Sequence, residues 1–324
     1  MNPLTGDLKS LEPTEQNSDQ MKFGLIGNIV VDEITMLDGS ITKSWGGAYY
    51  NIAIFEKLLK ANEILMPLTP IGYDVWDKAI NDLSKLKRVD LSALYKSEHR
   101  NNKIYLKYLD SDEREERADD ILPPIEAERF QSVLDSDALL FNFISGFDVT
   151  LDTLLEVRKK FGGKMFMDLH SLSLGIDEKG YRYKRIPQNW KSWVACFDCI
   201  QMNQVEADLL IEYENEIRSH KELAEYLLSS GAEVVNITLG ENGSFLAYFE
   251  DDKIELRHLN AEKDAVAVDP TGCGDAYLTA FGLEYIRGSH PLAAAKNANK
   301  IAGLVSTLRG IEEIRLTDFK FDGV

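Results

Sequence analysis

Residues 268–277 read VDPTGCGDAY, and an apolar helical pattern, LTAFGLEYIRG, follows directly. Gly272 and Gly274 allow a tight turn, and a helix that begins after such a turn presents unpaired N–H groups at the positive end of its dipole. This arrangement predicts an anion site suited to a phosphoryl group. Asp275 would repel a phosphate there, so it indicates either proton chemistry on an attacking hydroxyl or simple complementation of the helix dipole. The Walker GxxxxGK[ST] and GxGxxG patterns do not occur in the chain.

Upstream of this turn, short apolar strands alternate with amphipathic helices. From residue 126 the succession is ALLFNFIS, TLLEVRKKF, KMFMDL, CIQMN, VEADLLI, KELAEYLLSSG and EVVNITLG. Strands buried on both faces and joined by helices predict a three-layer, doubly wound α/β fold with a mostly parallel sheet. GSFLAYFE and KIELRHLN, on either side of Asp251-Asp252, predict an antiparallel pair. Two helices, at about 273–287 and 291–307, are predicted to close the chain.

Two segments early in the chain have the alternation of hairpins. Residues 33–45 contain Asp38-Gly39, a strong hairpin turn signal, and residues 100–118 form a second, interrupted hairpin. We expect them to pair as a small β lid, and the exposed edge of such a sheet offers a surface through which two subunits would form a homodimer. The remainder of residues 21–324 is predicted to form one domain with this lid. Residues 1–20 are polar and without period, which predicts a flexible extension.

The composition limits the classes of partner. Lys and Arg number 36 against 54 Asp and Glu, and the net charge of −18 disfavours nucleic acid or an anionic membrane surface as a partner. No stretch approaches ~18 apolar residues, the N-terminus lacks the order of a signal peptide, and three cysteines are too few for a disulfide framework. We therefore expect a cytoplasmic enzyme in which a phosphate ligand is held by local groups.

The turn at residues 269–275, DPTGCGD, resembles the C-terminal signature of the ribokinase-like (PfkB) family of carbohydrate and nucleoside kinases. Further landmarks follow in the family's order. Residues 27–32, GNIVVD, resemble the first-strand segment whose aspartate binds substrate hydroxyls, and residues 46–51, GGAYYN, resemble the GG-x-x-x-N segment that frames the sugar. Residues 203–206, NQVE, resemble the N-x-x-E motif associated with magnesium and phosphate. The resemblance implies a ribokinase-like kinase domain with ATP as phosphoryl donor.

Two more landmarks resemble the nucleotide side of the family. Residues 238–243, TLGENG, resemble the strand and turn beside the nucleotide. Asn299, with Arg309-Gly310 beyond it, resembles the stretch that borders the adenine and a monovalent-cation loop. The similarity spans about residues 21–315, and several ordered landmarks are more specific than any single one of them.

The resemblance implies a role for each matching residue. Asp275 is assigned as the catalytic base, and Gly272, Cys273 and Gly274 are assigned to the anion hole. Acceptor binding is assigned to Asn28, Asp32, Gly46, Gly47 and Asn51. Nucleotide binding is assigned to Asn203, Thr238, Gly240, Gly243 and Asn299. Metal binding is assigned to Glu206 for Mg²⁺, through water, and to Asp269, Thr271 and Gly310 for K⁺.

These roles make chemical sense of the aspartate in the turn. Asp275 would accept the hydroxyl proton while backbone N–H groups around it hold the transferring phosphoryl group, and phosphoryl transfer asks mainly for alignment and charge stabilisation. Simpler interpretations stay open for three residues. Glu206 is also typical of an exposed helix position, Asp32 could cap a turn, and Asn51 could bond only to backbone.

The sequence departs from the family pattern at a few positions. Cys273 stands where a small Ala is common, and a helix N-terminus lowers thiol pKa values, so we expect a reactive thiol. Tyr49-Tyr50 replace smaller or basic residues and would reshape the acceptor pocket. At residues 168–170, DLH replaces the D-x-N that many sugar kinases carry, and the nearby arginine is missing. The next cations are Arg182, Lys184 and Arg185, and the sequence leaves open whether one of them reaches the phosphate.

Three functions fit these observations. A sugar kinase is the leading hypothesis, because Asp32 and Asn51 are both present to bind hydroxyls. A nucleoside kinase is the alternative, because Tyr49 and Tyr50 could stack on a base. A ligand-binding relative that has lost turnover is the third, and the altered segment 168–185 is its only support. ATP consumption with a panel of sugars and nucleosides distinguishes them, since the fold alone does not name a substrate.

Overall fold

The computed structural model describes residues 20–108, 114–262 and 267–319. The extension predicted for residues 1–20 therefore lies outside the described residues except for Gln20. The tip of the second predicted hairpin, residues 109–113, also lies outside them. Within the described ranges, no helix combines the length and the apolar character needed to cross a bilayer.

The strands and helices are numbered in chain order. The strands are β1 (Met21–Ile26), β2 (Ile29–Thr35), β3 (Ile41–Gly47), β4 (Glu63–Leu68), β5 (Pro70–Gly72), β6 (Tyr95–Ser97), β7 (Lys103–Tyr108), β8 (Arg114–Asp119), β9 (Ala138–Asn142), β10 (Lys164–Asp168), β11 (Leu174–Ile176), β12 (Arg182–Lys184), β13 (Cys199–Asn203), β14 (Val234–Thr238), β15 (Ser244–Glu250) and β16 (Lys253–Leu259). The α-helices are α1 (Ala48–Leu58), α2 (Trp76–Leu83), α3 (Leu151–Lys160), α4 (Trp190–Val194), α5 (Gln204–Tyr213), α6 (His220–Ser229), α7 (Cys273–Ile286), α8 (Pro291–Ser306) and α9 (Gly310–Leu316).

The main sheet has eight strands in the order β16-β15-β14-β13-β10-β9-β1-β4. The strands from β14 to β4 are parallel, and β15 and β16 add an antiparallel edge. Successive residues of one strand face opposite layers: Leu140 belongs to the core cluster that includes α1, α7 and α8, whereas Leu139 and Phe141 belong to the cluster that includes α3, α4 and α6. The predicted three-layer α/β fold and its antiparallel pair are confirmed.

The two early hairpins form one small sheet of four strands, which we call the lid sheet, in the order β3-β2-β7-β8. β2 and β7 pair in parallel and join the hairpins. Its first strand begins at Ile29, before the predicted residue 33. The chain breaks away from β1 there because Asn28 bonds to the loop after β9, donating from its backbone N to Asp148 Oδ1 and from Nδ2 to Ser145 Oγ.

A further hairpin, β11–β12, attaches to the free edge of the lid sheet. Ala118 N in β8 donates to Gly180 O at 2.8 Å, and the backbones of Arg117 and Tyr181 form an isolated antiparallel β-bridge. The buried guanidinium of Arg182 donates to Ser145 O at 2.7 Å and lies 3.4 Å from the Glu116 carboxylate of β8. The segment that departs from the family pattern thus connects the lid sheet to the core.

β4 and β5 are separated by one residue but belong to different sheets, with prolines at residues 67 and 70 near the break. One detail differs from the sequence prediction. A third closing helix, α9, follows α8. It is short and charged, and only Ile311 and Ile314 are buried, which gives little periodic signal.

Candidate active site

A cavity of about 580 Å³ opens where the central strands of the main sheet end. β9, β10 and β13 are parallel neighbours, so their carboxyl ends bring Asn142, Asp168 and Asn203 to one edge. Ligands of open α/β sheets bind at this edge. The predicted site residues in the cavity lining are Asp32, Gly47, Asn203, Glu206, Thr238, Gly240, Thr271, Gly272, Cys273, Gly274 and Asp275. The other predicted residues, all within the described ranges, lie outside that lining and are placed below.

The glycine turn is positioned by close packing against helix α1. Gly272 has φ 84°, and a Cβ there would lie 2.4 Å from the ring of Tyr50. Any side chain at this position would therefore be strained twice, by backbone conformation and by contact. α7 begins at Cys273, and Ala276 N donates to Gly272 O at 2.9 Å as its first full turn closes. Of the N–H groups before that bond, that of Cys273 donates to Pro270 O at 3.2 Å, and those of Gly274 and Asp275 lie in the cavity lining at the helix end, where an anion is favoured.

Asp275 lies in the first turn of α7 and is 8% exposed. Asn142 Nδ2 donates to Asp275 Oδ1, and Asn51 Nδ2 donates to the Asp275 carbonyl at 3.1 Å. Burial raises the pKa of Asp275 to about 6, against the lowering effect of the Asn142 hydrogen bond. A carboxylate with such a pKa is ionised at neutral pH and still accepts a proton readily, as a general base requires.

Asp168 and Glu206 are two further buried carboxyl groups in the cavity lining. Burial, and then the charge of Asp275, raise the pKa of Asp168. Burial, and then the charge of Asp168, raise the pKa of Glu206 well above its ordinary value. Gln201 Nε2 donates to Asp168 Oδ2 and to Gly274 O, both at 2.9 Å, and so ties this group to the glycine turn.

Glu206 occupies the third position of α5 and forms a capping box with Asn203. Asn203 N and Nδ2 donate to the two Glu206 oxygens at 2.9 and 2.7 Å, and Glu206 N donates to Asn203 Oδ1 at 2.9 Å. The ordinary exposed position that the sequence also allowed is thereby excluded, since Glu206 is 8% exposed. A hard, oxygen-binding cation near this carboxylate would favour its ionised form, so the residue fits a water-mediated Mg²⁺ contact.

At the end of the cavity predicted to bind the acceptor, Asp32 extends from β2 over Gly46. A Cβ at residue 46 would lie 1.9 Å from Asp32 Oδ2, so glycine makes room for the carboxylate. Ile104 and Leu106 of β7 line the same face. Asn28 and Asn51 are both 0% exposed and lie beneath the cavity, where they bond to protein groups. The structure thus brings Asp32 and Gly47 into the cavity and places Asn28, Gly46 and Asn51 behind it.

At the end of the cavity predicted to bind the nucleotide, Thr238 ends β14 and Gly240 lies in the turn after it, and both line the cavity. Gly243 lies one turn later at the start of β15, where its carbonyl accepts from Leu239 N at 2.8 Å. Asn299 lies on α8, and its Nδ2 donates at 3.4 Å to the carbonyls of Leu259 and Asn260. Gly243 and Asn299 therefore shape the neighbourhood of the cavity but do not line it.

The predicted monovalent-cation residues lie at the junction of α8 and the glycine turn. Asp269 Oδ1 accepts from Thr271 N at 2.9 Å, and Asp269 N donates to Ser306 O at 3.0 Å at the end of α8. Gly310, with φ 61°, begins α9 beyond that end. Carboxylate and backbone oxygens of this loop are ligands that a hard cation accepts.

The expectation of a reactive Cys273 thiol is wrong. Burial, and then the charges of Asp269 and Asp275, raise the pKa of Cys273 to about 12. The desolvation and the two acids outweigh the helix terminus that favours a thiolate.

The three nearby cations remain at the margin of the cavity. Arg182 is held by Glu116 and Ser145, and Arg185 donates to Gly146 O at 3.3 Å and lies 4.7 Å from the ring of Phe147. Lys184 lines a smaller neighbouring cavity of about 290 Å³ together with Glu206. Of the Lys and Arg residues within the described ranges, none lines the main cavity.

Sequence reasoning missed three residues of the site: Asn142, Gln201 and Glu116. Asn142 and Gln201 belong to apolar strand patterns, FNFIS and CIQMN, and one polar residue near the carboxyl end of a buried strand was the available signal. Glu116 lies in the predicted second hairpin, where no site residue was expected, and its position in the cavity lining depends on the register Leu106↔Glu116.

Solved structures share this architecture. Ribokinase from Thermotoga maritima superposes with a TM-score of 0.71 at 19% identity, covering 92% of this chain and 98% of that one. The nucleoside kinase of Methanocaldococcus jannaschii, an archaeal member of the ribokinase family, superposes with a TM-score of 0.65 at 18% identity, covering 91% and 94%. The fold is therefore that of the ribokinases.

The sequence comparison is more specific. The family model of the pfkB family carbohydrate kinases matches residues 24–315. Ribokinase of Staphylococcus aureus is 34% identical over 122 residues, which span 37% of this chain and 38% of that protein. The chain belongs to the pfkB family of carbohydrate kinases. The family predicted from the sequence, one of carbohydrate kinases, is thereby confirmed.

Proposed function

We propose that the protein transfers the terminal phosphoryl group of ATP to a hydroxyl group of a sugar or sugar-like molecule. Asp275 is the general base and the turn at residues 272–274 is the anion hole. The observation that carries this proposal is the placement of a buried carboxylate, held by Asn142, in the first turn of a helix whose N-terminus faces the cavity. A cytoplasmic location stays a prediction.

The chain's own groups divide the work along the cavity. Asp32 and the apolar face of the lid sheet hold the acceptor, so that its hydroxyl faces Asp275. Asp275 takes the hydroxyl proton as the oxygen attacks, and the N–H groups of the glycine turn stabilise the charge on the transferring phosphoryl group. Mg²⁺, when bound near Glu206 through water, supplies charge neutralisation of the donor phosphates. Asn203, Thr238 and Gly240 are placed to bind the nucleotide.

The acceptor pocket supports an uncharged ring as substrate. Val30, Ile104, Leu106 and Ile144 give it an apolar wall, and Asp32 supplies a carboxylate that accepts two hydroxyl groups. A nucleoside is the second candidate, because Tyr50 lines the cavity with the 4% of its surface that is exposed, beside its contact with Gly272. Tyr49 does not support it, since its ring is 1% exposed and stacks on Trp45.

The test is ATP consumption with matched panels of pentoses, hexoses, polyols and nucleosides. Turnover with a sugar or polyol and none with nucleosides supports the leading proposal, and the reverse selects the nucleoside kinase. Saturable binding of an acceptor and ATP without any turnover would favour a ligand-binding relative and refute the assignment of Asp275.

The lid sheet is proposed to close over the acceptor and to offer its edge strand β3 for a homodimer. The other edge, β8, already pairs with the β11–β12 hairpin, so β3 is the edge through which two subunits would meet. Sedimentation at micromolar concentration tests the dimer, and hydrogen exchange with and without acceptor tests closure.

A further inference from the structure

Asn142 ends the central strand β9 directly beneath the first turn of α7. It is 1% exposed, and its Nδ2 donates both to Asp275 Oδ1 and to Asn51 Oδ1, the latter at 2.7 Å. Asn51 in turn donates to the Asp275 carbonyl at 3.1 Å and to Thr279 Oγ1 at 3.2 Å. The side-chain amide of Asn142 therefore links strand β9 of the main sheet to Asn51 on α1 and to the Asp275 carboxylate on α7.

We propose that Asn142 is a positioning residue for the phosphoryl transfer: it fixes Asp275 through Oδ1 and so leaves Oδ2 for the acceptor hydroxyl. The inference rests on the proposed function of Asp275 as base. It assigns to Asn142 a role that neither the sequence motifs nor the family comparison indicates.

No other side chain among the described residues could take over the hydrogen bond that Asn142 donates to Asp275. Within the described residues, Asn142 is the one side chain that donates a hydrogen bond to the Asp275 carboxylate. The charge of Asp275 raises the pKa values of Asp168 on β10 and of Cys273 on α7, and neither of these neighbours supplies a positive charge to Asp275. Without Asn142, burial acts on Asp275 unopposed by any other side chain, and its carboxylate is free to turn about χ2.

Removal of the donor gives the first arm of the test. Asn142→Leu keeps the volume and removes the hydrogen bond. We expect kcat to fall about tenfold or more, because the base is misaligned and protonated over more of the pH range. The acid limb of the pH–rate profile should move up by about one to two pH units. A pKa shift of that size corresponds to the free energy of one hydrogen bond to a charged group. KM for the acceptor changes by less than about threefold, because Asn142 does not line the cavity.

Replacement by an acid gives the second arm. In Asn142→Asp, two carboxyl groups share one site, and only the singly protonated pair reproduces the donor–acceptor contact. We expect a bell-shaped profile that loses activity on the alkaline side, a limb that the parent lacks. A purely structural role predicts losses in both variants with an unchanged profile shape.

Asn236→Leu is the matched control. Asn236 is also a buried strand asparagine bonded to α7, since its Oδ1 accepts from Tyr277 OH at 2.9 Å, but it makes no contact with Asp275. We expect this variant to lose stability without moving the pH–rate profile. If Asn142→Leu does not fold, Asn142→Ser, which retains a donor, and Asn142→Asp carry the test.

A second readout does not depend on turnover. The Asp275 carboxyl is followed by ¹³C NMR in protein labelled at the aspartate γ-carbon and assigned with Asp275→Asn. An upward move of its titration midpoint in Asn142→Leu supports the inference, and an unchanged midpoint overturns it. Absence of turnover in the parent protein contradicts the proposed function instead, so the two failures are distinguishable.

Discussion

Replacing the proposed base by its amide, Asp275→Asn, separates proton chemistry from packing. The side chain keeps its size, and its amide oxygen still accepts the hydrogen bond from Asn142. What is lost is the proton acceptor, and a positioned general base contributes about 10²–10⁴-fold to a rate. We expect turnover to fall by that factor, whereas ATP affinity stays nearly unchanged or tightens, because a negative charge beside the phosphate site is removed.

The same substitution should increase stability at neutral pH. Burial raises the pKa of Asp275 to about 6 from an ordinary 3.8. The folded protein thus holds this proton more tightly than the unfolded chain does. The contribution of the protonated Asp275 to the free energy of unfolding is therefore fully present below about pH 4 and is lost as the pH rises through about 6. Two pKa units correspond to roughly 3 kcal/mol, an upper bound on the gain from a neutral amide. The difference between variant and parent should grow over that pH window and level off above it.

The assay measures rate, ATP affinity and urea unfolding at pH 4 and 7.5 on one preparation. Asp152→Asn is the matched control, because Asp152 lies in the first turn of α3, outside the cavity lining, and exerts only a helix-dipole effect. We expect that control to keep its rate and to lose at most about 1 kcal/mol. An Asp275→Asn protein that turns over at more than about a tenth of the parent rate would refute the base assignment.

Three further expectations follow from the site. Gly272→Ala should lower kcat at least about tenfold, because the added Cβ would lie 2.4 Å from the ring of Tyr50. Gly39→Ala is the control, because Gly39 also has a positive φ but has open space around it. Equal rates in the two variants would contradict the packing argument. Turnover should need Mg²⁺ and be faster in K⁺ than in Na⁺; undiminished rates in excess chelator, or equal rates in K⁺ and a bulky organic cation, contradict the respective assignments. Saturating acceptor should slow hydrogen exchange in β2 and β7, and unaltered exchange there would exclude closure of the lid sheet.

The sequence predicted those features that depend on local pattern. The strand–helix alternation gave the fold class, and the glycine pair before an apolar helix gave the turn and Asp275. These properties are local because a strand, a helix start or a tight turn depends on a few consecutive residues.

Features that depend on strand register or on burial could not be predicted in this way. Glu116 faces the cavity because it pairs with Leu106, and Asn142 meets Asp275 only when β9 and α7 pack together. Cys273 shows the same limit in its chemistry, since its position at a helix start predicted a lowered pKa, whereas burial between acids raises it. Desolvation is a property of the folded environment, and no single segment encodes it.

Burial is the main cause of the raised pKa values of Asp168, Glu206 and Asp275, and a neighbouring acid adds to it for Asp168 and Glu206. Asp32, Glu116, Asp168, Glu206 and Asp275 line the cavity, and within the described residues no Lys or Arg does. A polyanionic donor entering such a site meets repulsion that the N–H groups of one helix end offset only in part, so binding requires either protonation of the acids or a divalent cation. Protonation would disable Asp275 as a base, whereas a cation near Glu206 favours the ionised form of every acid around it. The predicted Mg²⁺ near Glu206 is consistent with this acidic lining, and the chelator experiment tests it.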